Sequence, residues 1–189
     1  NNDDLLYQMF RCKVVNGWFV QGIDEHWSKK IIVKNKIKLH EEEEDTEMKI
    51  YVDLDGTLAD FDKEIINITN KSPSELPSAA LWRAIYSSDN FFSNLDWLDG
   101  SKAMWTKYLK PLNPTILSGV PVDDTKSIKQ KKEWCVRNLG PEVPVILCST
   151  SEKSKYSGKN KILIDDRART RRRWEEEGGI FILHRTPSE

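Results

Sequence analysis

Residues 49–62 read KIYVDLDGTLADFD, and this stretch decides the fold of the chain. An apolar, partly β-branched run at 50–52 ends abruptly in DLDGT, which carries Asp53 and Asp55. Such a run predicts a buried strand that breaks at a glycine and brings two carboxylates to the edge of a sheet. Open α/β sheets bind their ligands at the carboxyl ends of the strands. The stretch therefore predicts a parallel α/β sheet with an acidic site after its first strand.

The two acids could also belong to an ordinary turn, since turns favour Asp and Gly. That alternative explains Gly56 but neither the paired acids nor the apolar strand before them. Side chains two residues apart in a strand share one face, but the strand ends here, so their directions can diverge. One carboxylate could then attack a substrate while the other handles a proton.

A second apolar run, at 114–119 (PTILSG), ends in Ser118 and Gly119. A serine hydroxyl can donate to a phosphate oxygen, and a glycine lets the backbone N–H approach one closely. Taken alone, a strand followed by Ser-Gly is common turn punctuation. Its value lies in its position after the acidic motif.

Two further runs complete the pattern. Residues 143–148 (VPVILC) predict a strand followed by a polar loop that carries Lys153 and Lys155. A lysine there could offset the charge of the aspartates and a phosphate. The next apolar run ends in two more acids, Asp165 and Asp166, which in the plainer alternative are helix caps.

These segments, taken in order, resemble the haloacid dehalogenase (HAD) superfamily, whose first motif is a hydrophobic strand followed by D-x-D-G-T/V. The resemblance implies that Asp53 takes a phosphoryl group as an aspartyl-phosphate. It implies that Asp55 protonates the leaving alcohol and later activates water. It also implies Mg²⁺, with Asp53, Asp55, Asp165 and Asp166 as the candidate ligands. We expect Asp165 to bind the ion directly, and Asp166 either to contact the groups that bind the ion or to be an alternate ligand.

Within that superfamily, DGTLADFD, DNFFSNLDWLDGSKAMW, KEWCVRNLG and ILIDDR look like the 5′(3′)-deoxyribonucleotidase family. The likeness runs from about residue 49 to the end of the chain. It implies that Lys155, ten residues before Asp165, is the essential lysine. It places Lys153 where the family has a phosphate-binding arginine, and Phe61 where the family has an aromatic residue lining the substrate pocket.

The chain departs from that family at residues 63–90, which are shorter than the family's insert and lack its base-sandwiching aromatic segment. Trp82 and Tyr86 are the aromatic residues available there, and we expect them to contact the substrate. The phosphatase interpretation is therefore better supported than the nucleotide interpretation.

The fold class predicted is α/β: a Rossmann-like parallel sheet of HAD type with helices on both faces, a small helical cap and an N-terminal β-hairpin module. An Asn-Gly turn at 16–17 indicates the hairpin, and the acidic run EEEEDTE indicates a solvated linker. We expect a β module at 1–40, a linker at 41–48, a HAD-like domain at 49–189 and a cap at about 63–104. Helices are predicted at 62–69, 72–87, 101–109, 124–139 and 167–177, with a last strand at 180–183.

Two basic segments could bind a polyanion. Lysines and two tryptophans in 1–40 could form a nucleic-acid surface, although edge lysines that discourage aggregation are commoner. Five arginines between 167 and 173 share one predicted helix, but the glutamates at 175–177 favour a salt-bridged surface helix instead.

The composition indicates an enzyme of a reducing compartment rather than a membrane or disulfide-rich protein. Net charge is −1, and the three cysteines are odd in number and lack metal-ligand spacing. The sequence contains neither a signal-peptide pattern nor an apolar run long enough to span a bilayer. A cytoplasmic location is the default expectation.

The function predicted is a Mg²⁺-dependent phosphomonoesterase, most closely resembling a nucleotidase that acts on (deoxy)nucleoside monophosphates. One alternative is a phosphatase for phosphorylated nucleic-acid ends, and another is a non-catalytic HAD-like interaction module. The partner expected is a phosphorylated small molecule, with nucleic acid as a further candidate and no membrane.

Overall fold

The computed structural model of the protein describes residues 48–185, which form one compact unit. The predicted β module at 1–40 and the linker up to residue 47 lie outside the described residues, as do residues 186–189. Within residues 48–185, no helix has the length and apolar character needed to cross a membrane.

Five parallel strands form one sheet in the order β3-β2-β1-β4-β5, which confirms the predicted parallel α/β sheet. The strand that precedes the acidic motif is therefore the central one. The strands are β1 (Lys49–Val52), β2 (Thr115–Gly119), β3 (Val145–Cys148), β4 (Lys161–Asp165) and β5 (Ile180–Leu183).

The register of β1 brings three polar strand ends together. Val52, its last residue, pairs with Ile116 of β2 on one side and Ile164 of β4 on the other. Because the strands are parallel, the residues that follow each of these positions lie at one edge of the sheet. Asp53, Ser118 and Asp165 are therefore neighbours in space.

Helices flank the sheet, and two of them begin at a capping aspartate. Asp60 and Asp124 accept hydrogen bonds from backbone N–H groups of the first turns that follow them, as N-cap residues do. The helices are α1 (Phe61–Thr69), α2 (Ser78–Ser87), α3 (Ser101–Met104), α4 (Thr125–Asn138) and α5 (Ala168–Glu176). Shorter 3₁₀ turns cover Pro73–Glu75, Lys110–Leu112 and Thr150–Tyr156, and a π-helical turn covers Trp105–Leu109.

The two faces of the sheet are covered by different segments. On one face, Trp174 of α5 packs against a cluster that contains Tyr51, Leu117 and Leu163. Side chains alternate along a strand, so Ser118 points to the opposite face, where Lys131 of α4 contacts it. The predicted arrangement of helices on both faces is therefore observed. It allows lysine side chains to reach the end of β1 from two sides.

Three predicted segments differ from those observed. The helix predicted at 101–109 is α3 followed by the π-helical turn Trp105–Leu109. The single helix predicted at 72–87 is divided, because Pro77 forces Leu76 into an extended conformation between the 3₁₀ turn and α2. The polar loop predicted after β3 is a 3₁₀ helix. There Ser149 and Glu152 form a capping box.

Candidate active site

Asp53 lies at the end of β1 and is 3 % exposed. Its Oδ1 accepts a hydrogen bond from the backbone N–H of Leu54 at 2.8 Å, which fixes the orientation of the carboxylate. Its Oδ2 lies 3.0 Å from Nζ of Lys153. A buried carboxylate held in one orientation by a backbone donor and a cation has the arrangement that a nucleophile needs.

Asp55 is held by a different lysine, which reaches it from α4. Nζ of Lys131 lies 2.6 Å from Oδ2 of Asp55 and also donates to Oγ of Ser118 and to the carbonyl of Gly119. Oδ1 of Asp55 is buried and has no hydrogen-bond partner within the described part of the chain. The two acids of the first motif thus have separate cationic partners, and one oxygen of Asp55 is left for other chemistry.

The expected assignment of the two loop lysines is wrong in its geometry. Lys153, expected at the periphery, is 1 % exposed and also donates to Asp165 at 2.7 Å. Lys155, expected at the centre, is exposed and pairs with Glu152 at 2.6 Å. The physical reason is the 3₁₀ helix: at about three residues per turn, side chains two positions apart point in different directions.

Asp165 and Asp166 follow β4 but have different contacts. Both oxygens of Asp165 are engaged, Oδ2 by Lys153 and Oδ1 by the backbone N–H of Arg167 at 2.7 Å. Oδ1 of Asp166 is buried and has no hydrogen-bond partner among residues 48–185. These contacts favour Asp166 over Asp165 as a direct metal ligand, which reverses the expected order.

Three carboxylates lie close enough to hold one cation. One oxygen from each of Asp53, Asp165 and Asp166 lies within 4.8 Å of the others. Asp55 is outside this cluster, since its side chain turns to Lys131. The unpartnered oxygen of Asp166 is what an all-oxygen cation site requires, so these residues fit a hard divalent ion such as Mg²⁺.

Gly56 is needed at the acidic motif for two reasons. Its φ of +74° is in the left-handed region, which glycine adopts without strain. A Cβ at this position would also lie 2.4 Å from Oδ2 of Asp166. The glycine therefore brings the end of β1 against the acids that follow β4.

Ser118 and Gly119 lie at the end of β2, beside the carboxylates. The Ser118 side chain is fully buried. A Cβ on Gly119 would meet Oγ1 of Thr150 at 2.7 Å, so the glycine allows the 3₁₀ helix to approach β2. The structure therefore brings both residues to the site, as the sequence predicted.

The charges at the site move the pKa values of the acids in opposite directions. Burial alone would raise the pKa of Asp53, but the charges of Lys153 and Lys131 outweigh it and hold that pKa below its ordinary value. Burial, followed by the charges of Asp53 and Asp165, raises the pKa of Asp166 to about 7. Burial and Asp53 likewise raise the pKa of Asp165, against the opposing charge of Lys153. Asp53 is thus held ionised, while the carboxyl of Asp166 exchanges its proton near neutral pH.

The aromatic residues predicted to contact substrate occupy two places. Phe61 begins α1 and packs edge-on against Phe91, with ring centroids 5.4 Å apart. Phe92, which also contacts Phe61, lies under Nζ of Lys131 at 4.7 Å, so this cluster adjoins the Asp55 side of the site. The other two predicted residues, Trp82 and Tyr86, lie on α2 and stack on each other. Tyr86 contacts Asp124, but the described contacts of these two residues do not reach Asp53, Asp55, Asp165 or Asp166.

Two charged residues of the site were missed in the sequence. Lys131 lies on the buried stripe of α4 that includes Ser127 and Trp134, a helical spacing at which a lysine is unusual. That spacing was a usable signal. Arg167 was included in a surface arginine run, yet it is partly buried and its charge interacts with Asp53 and Asp166.

Comparison with known proteins adds no assignment. No protein-family model matches the chain. A search of curated proteins also finds no relative.

Proposed function

We propose that the protein is a phosphomonoesterase that works through an aspartyl-phosphate and uses a divalent cation. The observation that carries this proposal is that the two acids of the first motif pair with different lysines. Asp53 pairs with Lys153 and Asp55 pairs with Lys131, although the two acids are only two residues apart. Separate partners let two carboxylates of one strand end perform two different steps.

In the first step, an oxygen of Asp53 attacks the phosphorus of the substrate, and the bond from phosphorus to the alcohol oxygen breaks. Its lowered pKa keeps this carboxylate ionised at neutral pH. Lys153 lies against the nucleophile, and its ammonium offsets the charge that gathers as the phosphoryl group arrives. The product of the step is an acyl-phosphate on Asp53 and a free alcohol.

Asp55 supplies the proton that the alcohol oxygen needs as it leaves. Its free oxygen, Oδ1, serves this purpose, while Lys131 holds the other oxygen in place. In the second step the ionised Asp55 takes a proton from water as that water attacks the phosphorus. The P–O bond to Asp53 then breaks, inorganic phosphate is released, and both acids return to their starting states.

Asp53 and Asp166 would hold the cation, and Asp165 belongs to the same carboxylate cluster. The cation would supply positive charge between a carboxylate and a phosphate dianion, which otherwise repel each other. Ser118 and Gly119, beside the carboxylates at the end of β2, would donate to the phosphate oxygens.

A nucleoside monophosphate is the substrate we propose. The support is the Phe61, Phe91 and Phe92 cluster, which adjoins Lys131 and offers an apolar surface next to the acid that serves the leaving group. Phe61 is the most exposed of the three rings, so it is the one that a base or sugar could contact.

The test is trapping of the intermediate. The full chain is mixed with ³²P-labelled nucleoside monophosphate and Mg²⁺ and then quenched in acid, which preserves an acyl-phosphate. We expect labelled protein, loss of the label in hydroxylamine, and no label in Asp53→Asn, because an amide cannot form the intermediate. Asp62→Asn, on the exposed surface of α1, is the matched control. Turnover of p-nitrophenyl phosphate by Asp53→Asn at the wild-type rate would refute the mechanism.

A further inference from the structure

A polar cavity lies between the 3₁₀ helix that follows β3 and helix α5. Its volume is about 420 Å³. We call it the arginine cleft, and it is lined by Thr150, Ser151, Ser154, Arg169, Thr170 and Arg173. Four hydroxyl groups and two guanidinium groups are all hydrogen-bond donors, and none of the lining side chains is acidic.

The two arginines of the cleft have no acidic partner among the described residues. Two neighbours on the same helix do have one: Arg171 lies 3.9 Å from Glu175 and Arg172 lies 2.8 Å from Glu176. The glutamates thus neutralise the arginines on one side of α5 and leave Arg169 and Arg173 for the cleft. These two are four residues apart, so they lie one turn apart on one face.

A buried hydroxyl of the cleft also lacks a partner. Thr170 is 6 % exposed, and its Oγ1 forms no hydrogen bond in the described part of the chain. An unsatisfied buried hydroxyl costs free energy, and most such groups in folded proteins are paired with protein atoms or with an ordered water. Thr170 is therefore a hydroxyl in the cleft that a polar ligand or a water can satisfy, and this observation is independent of the arginines.

One close approach and one relationship along the chain link the cleft to the candidate active site. Thr150, which lines it, approaches Gly119 at the end of β2. Ser151 and Ser154 lie on either side of Lys153, the lysine that pairs with Asp53. One short helix therefore contributes to both sites from different sides.

We infer that the arginine cleft binds a phosphate group other than the one that is hydrolysed. Guanidinium groups suit this ligand because they can form two parallel hydrogen bonds to phosphate oxygens, and serine and threonine hydroxyls add further donors. The phosphate could come from a phosphodiester of a polynucleotide or from the free ion. The choice of ligand rests on the proposed phosphatase function, but binding at the cleft requires no catalysis.

The experiment compares two double variants of the full chain. Arg169→Gln/Arg173→Gln removes the cleft charges, and Arg171→Gln/Arg172→Gln removes the same charge from the side that the glutamates occupy. Binding of inorganic phosphate and of a short single-stranded oligonucleotide is measured by calorimetry. Both double changes are also made in Asp53→Asn, so that the oligonucleotide can carry a 5′-phosphate without turnover.

We expect the cleft variant to lose one phosphate-binding event that the control variant keeps. If the phosphate belongs to a polynucleotide, the cleft variant also binds the oligonucleotide at least about tenfold more weakly, and the slope of log K against log salt falls by about 0.7. If the ligand is the free ion, only inorganic phosphate is affected. Equal binding of both probes by the two variants, or binding of neither probe by the wild-type chain, overturns the proposal.

Thr170→Val tests the hydroxyl separately. Without phosphate we expect an unchanged or higher melting temperature, because an unsatisfied hydroxyl is removed. The rise in melting temperature that phosphate causes should be smaller than in the wild type. A lower melting temperature together with an unchanged phosphate effect would show that the hydroxyl serves packing alone. Hydrolysis of p-nitrophenyl phosphate separates the two proposals: the cleft variant should retain it, and its absence from the wild-type chain would refute the phosphatase but not the cleft.

Discussion

Nζ of Lys153 lies 3.0 Å from Oδ2 of Asp53, and both side chains are almost completely buried. The same nitrogen donates to Asp165, so one cation joins the ends of two neighbouring strands. Breaking such a buried pair from the lysine side leaves two buried acids without the cation that contacts both of them. Lys153 is therefore expected to serve both the stability and the chemistry of the site.

The first prediction compares the two lysines of the 3₁₀ helix. Lys153→Met should lower the free energy of unfolding by about 3–5 kcal/mol, as the loss of one partner of a buried ion pair does. It should also lower kcat by about 10²–10³, the usual cost of losing a charge-stabilising group. Lys155→Met, on the exposed side, should change neither quantity. Urea unfolding and p-nitrophenyl phosphate kinetics measure both, and an inactive Lys155→Met would contradict the observed side-chain directions.

The second prediction concerns the two acids after β4. Asp166→Asn should raise the Mg²⁺ concentration for half-maximal activity by about tenfold or more, because its free oxygen is a proposed ligand. Asp165→Asn should mainly lower stability, since both oxygens of Asp165 already accept hydrogen bonds from the protein. The readouts are a Mg²⁺ titration of activity and the rise in melting temperature that Mg²⁺ causes. The reverse ranking would restore Asp165 as the direct ligand.

The third prediction follows from the raised pKa of Asp166, about 7 against an ordinary 3.8. Between these values the folded protein binds more protons than the unfolded chain, so stability without metal should fall as pH rises through this window. Below pH 3.8 the stability that the folded protein gains from the raised pKa of Asp166 is fully present, and above about pH 7 it is lost. Mg²⁺ binding near pH 6 should release a proton from Asp166. Calorimetry in buffers of different ionisation enthalpy measures the release, and an unchanged release in Asp166→Asn would exclude this residue.

The fourth prediction concerns Lys131 as a positioning residue for Asp55. Lys131→Gln should impair the step that protonates the leaving group by about ten- to a hundredfold, a fraction of what general acid catalysis supplies. An alkyl phosphate needs that proton more than p-nitrophenyl phosphate does, so its hydrolysis should fall further. The exposed neighbour variant Lys132→Gln is the control. Equal losses for the two substrates would indicate that Lys131 acts on stability alone.

The apolar runs of the sequence were enough to predict the sheet. Each observed strand matches a run of apolar residues to within two positions, and the acids or hydroxyls that follow Val52, Leu117 and Ile164 were predicted as site residues. This succeeds because a buried parallel strand must be apolar along its length, and the edge where it ends must be polar. The apolar runs and the polar residues that follow them are therefore enough to predict the sheet and the presence of an acidic site.

The directions of the cations were decided only by the tertiary structure. Lys153 and Lys155 are equivalent by composition and nearly so by position, and only the pitch of the 3₁₀ helix turns one inward and the other to Glu152. Lys131 reaches Asp55 across 76 residues of chain, a contact that depends on α4 bringing this side chain to the end of β2. Likewise, which arginines of α5 are free depends on side-chain pairing with its glutamates. The sequence shows which charged residues are present. Which of them pair depends on the direction of each side chain and on the distance between charged groups, and only the folded structure sets these.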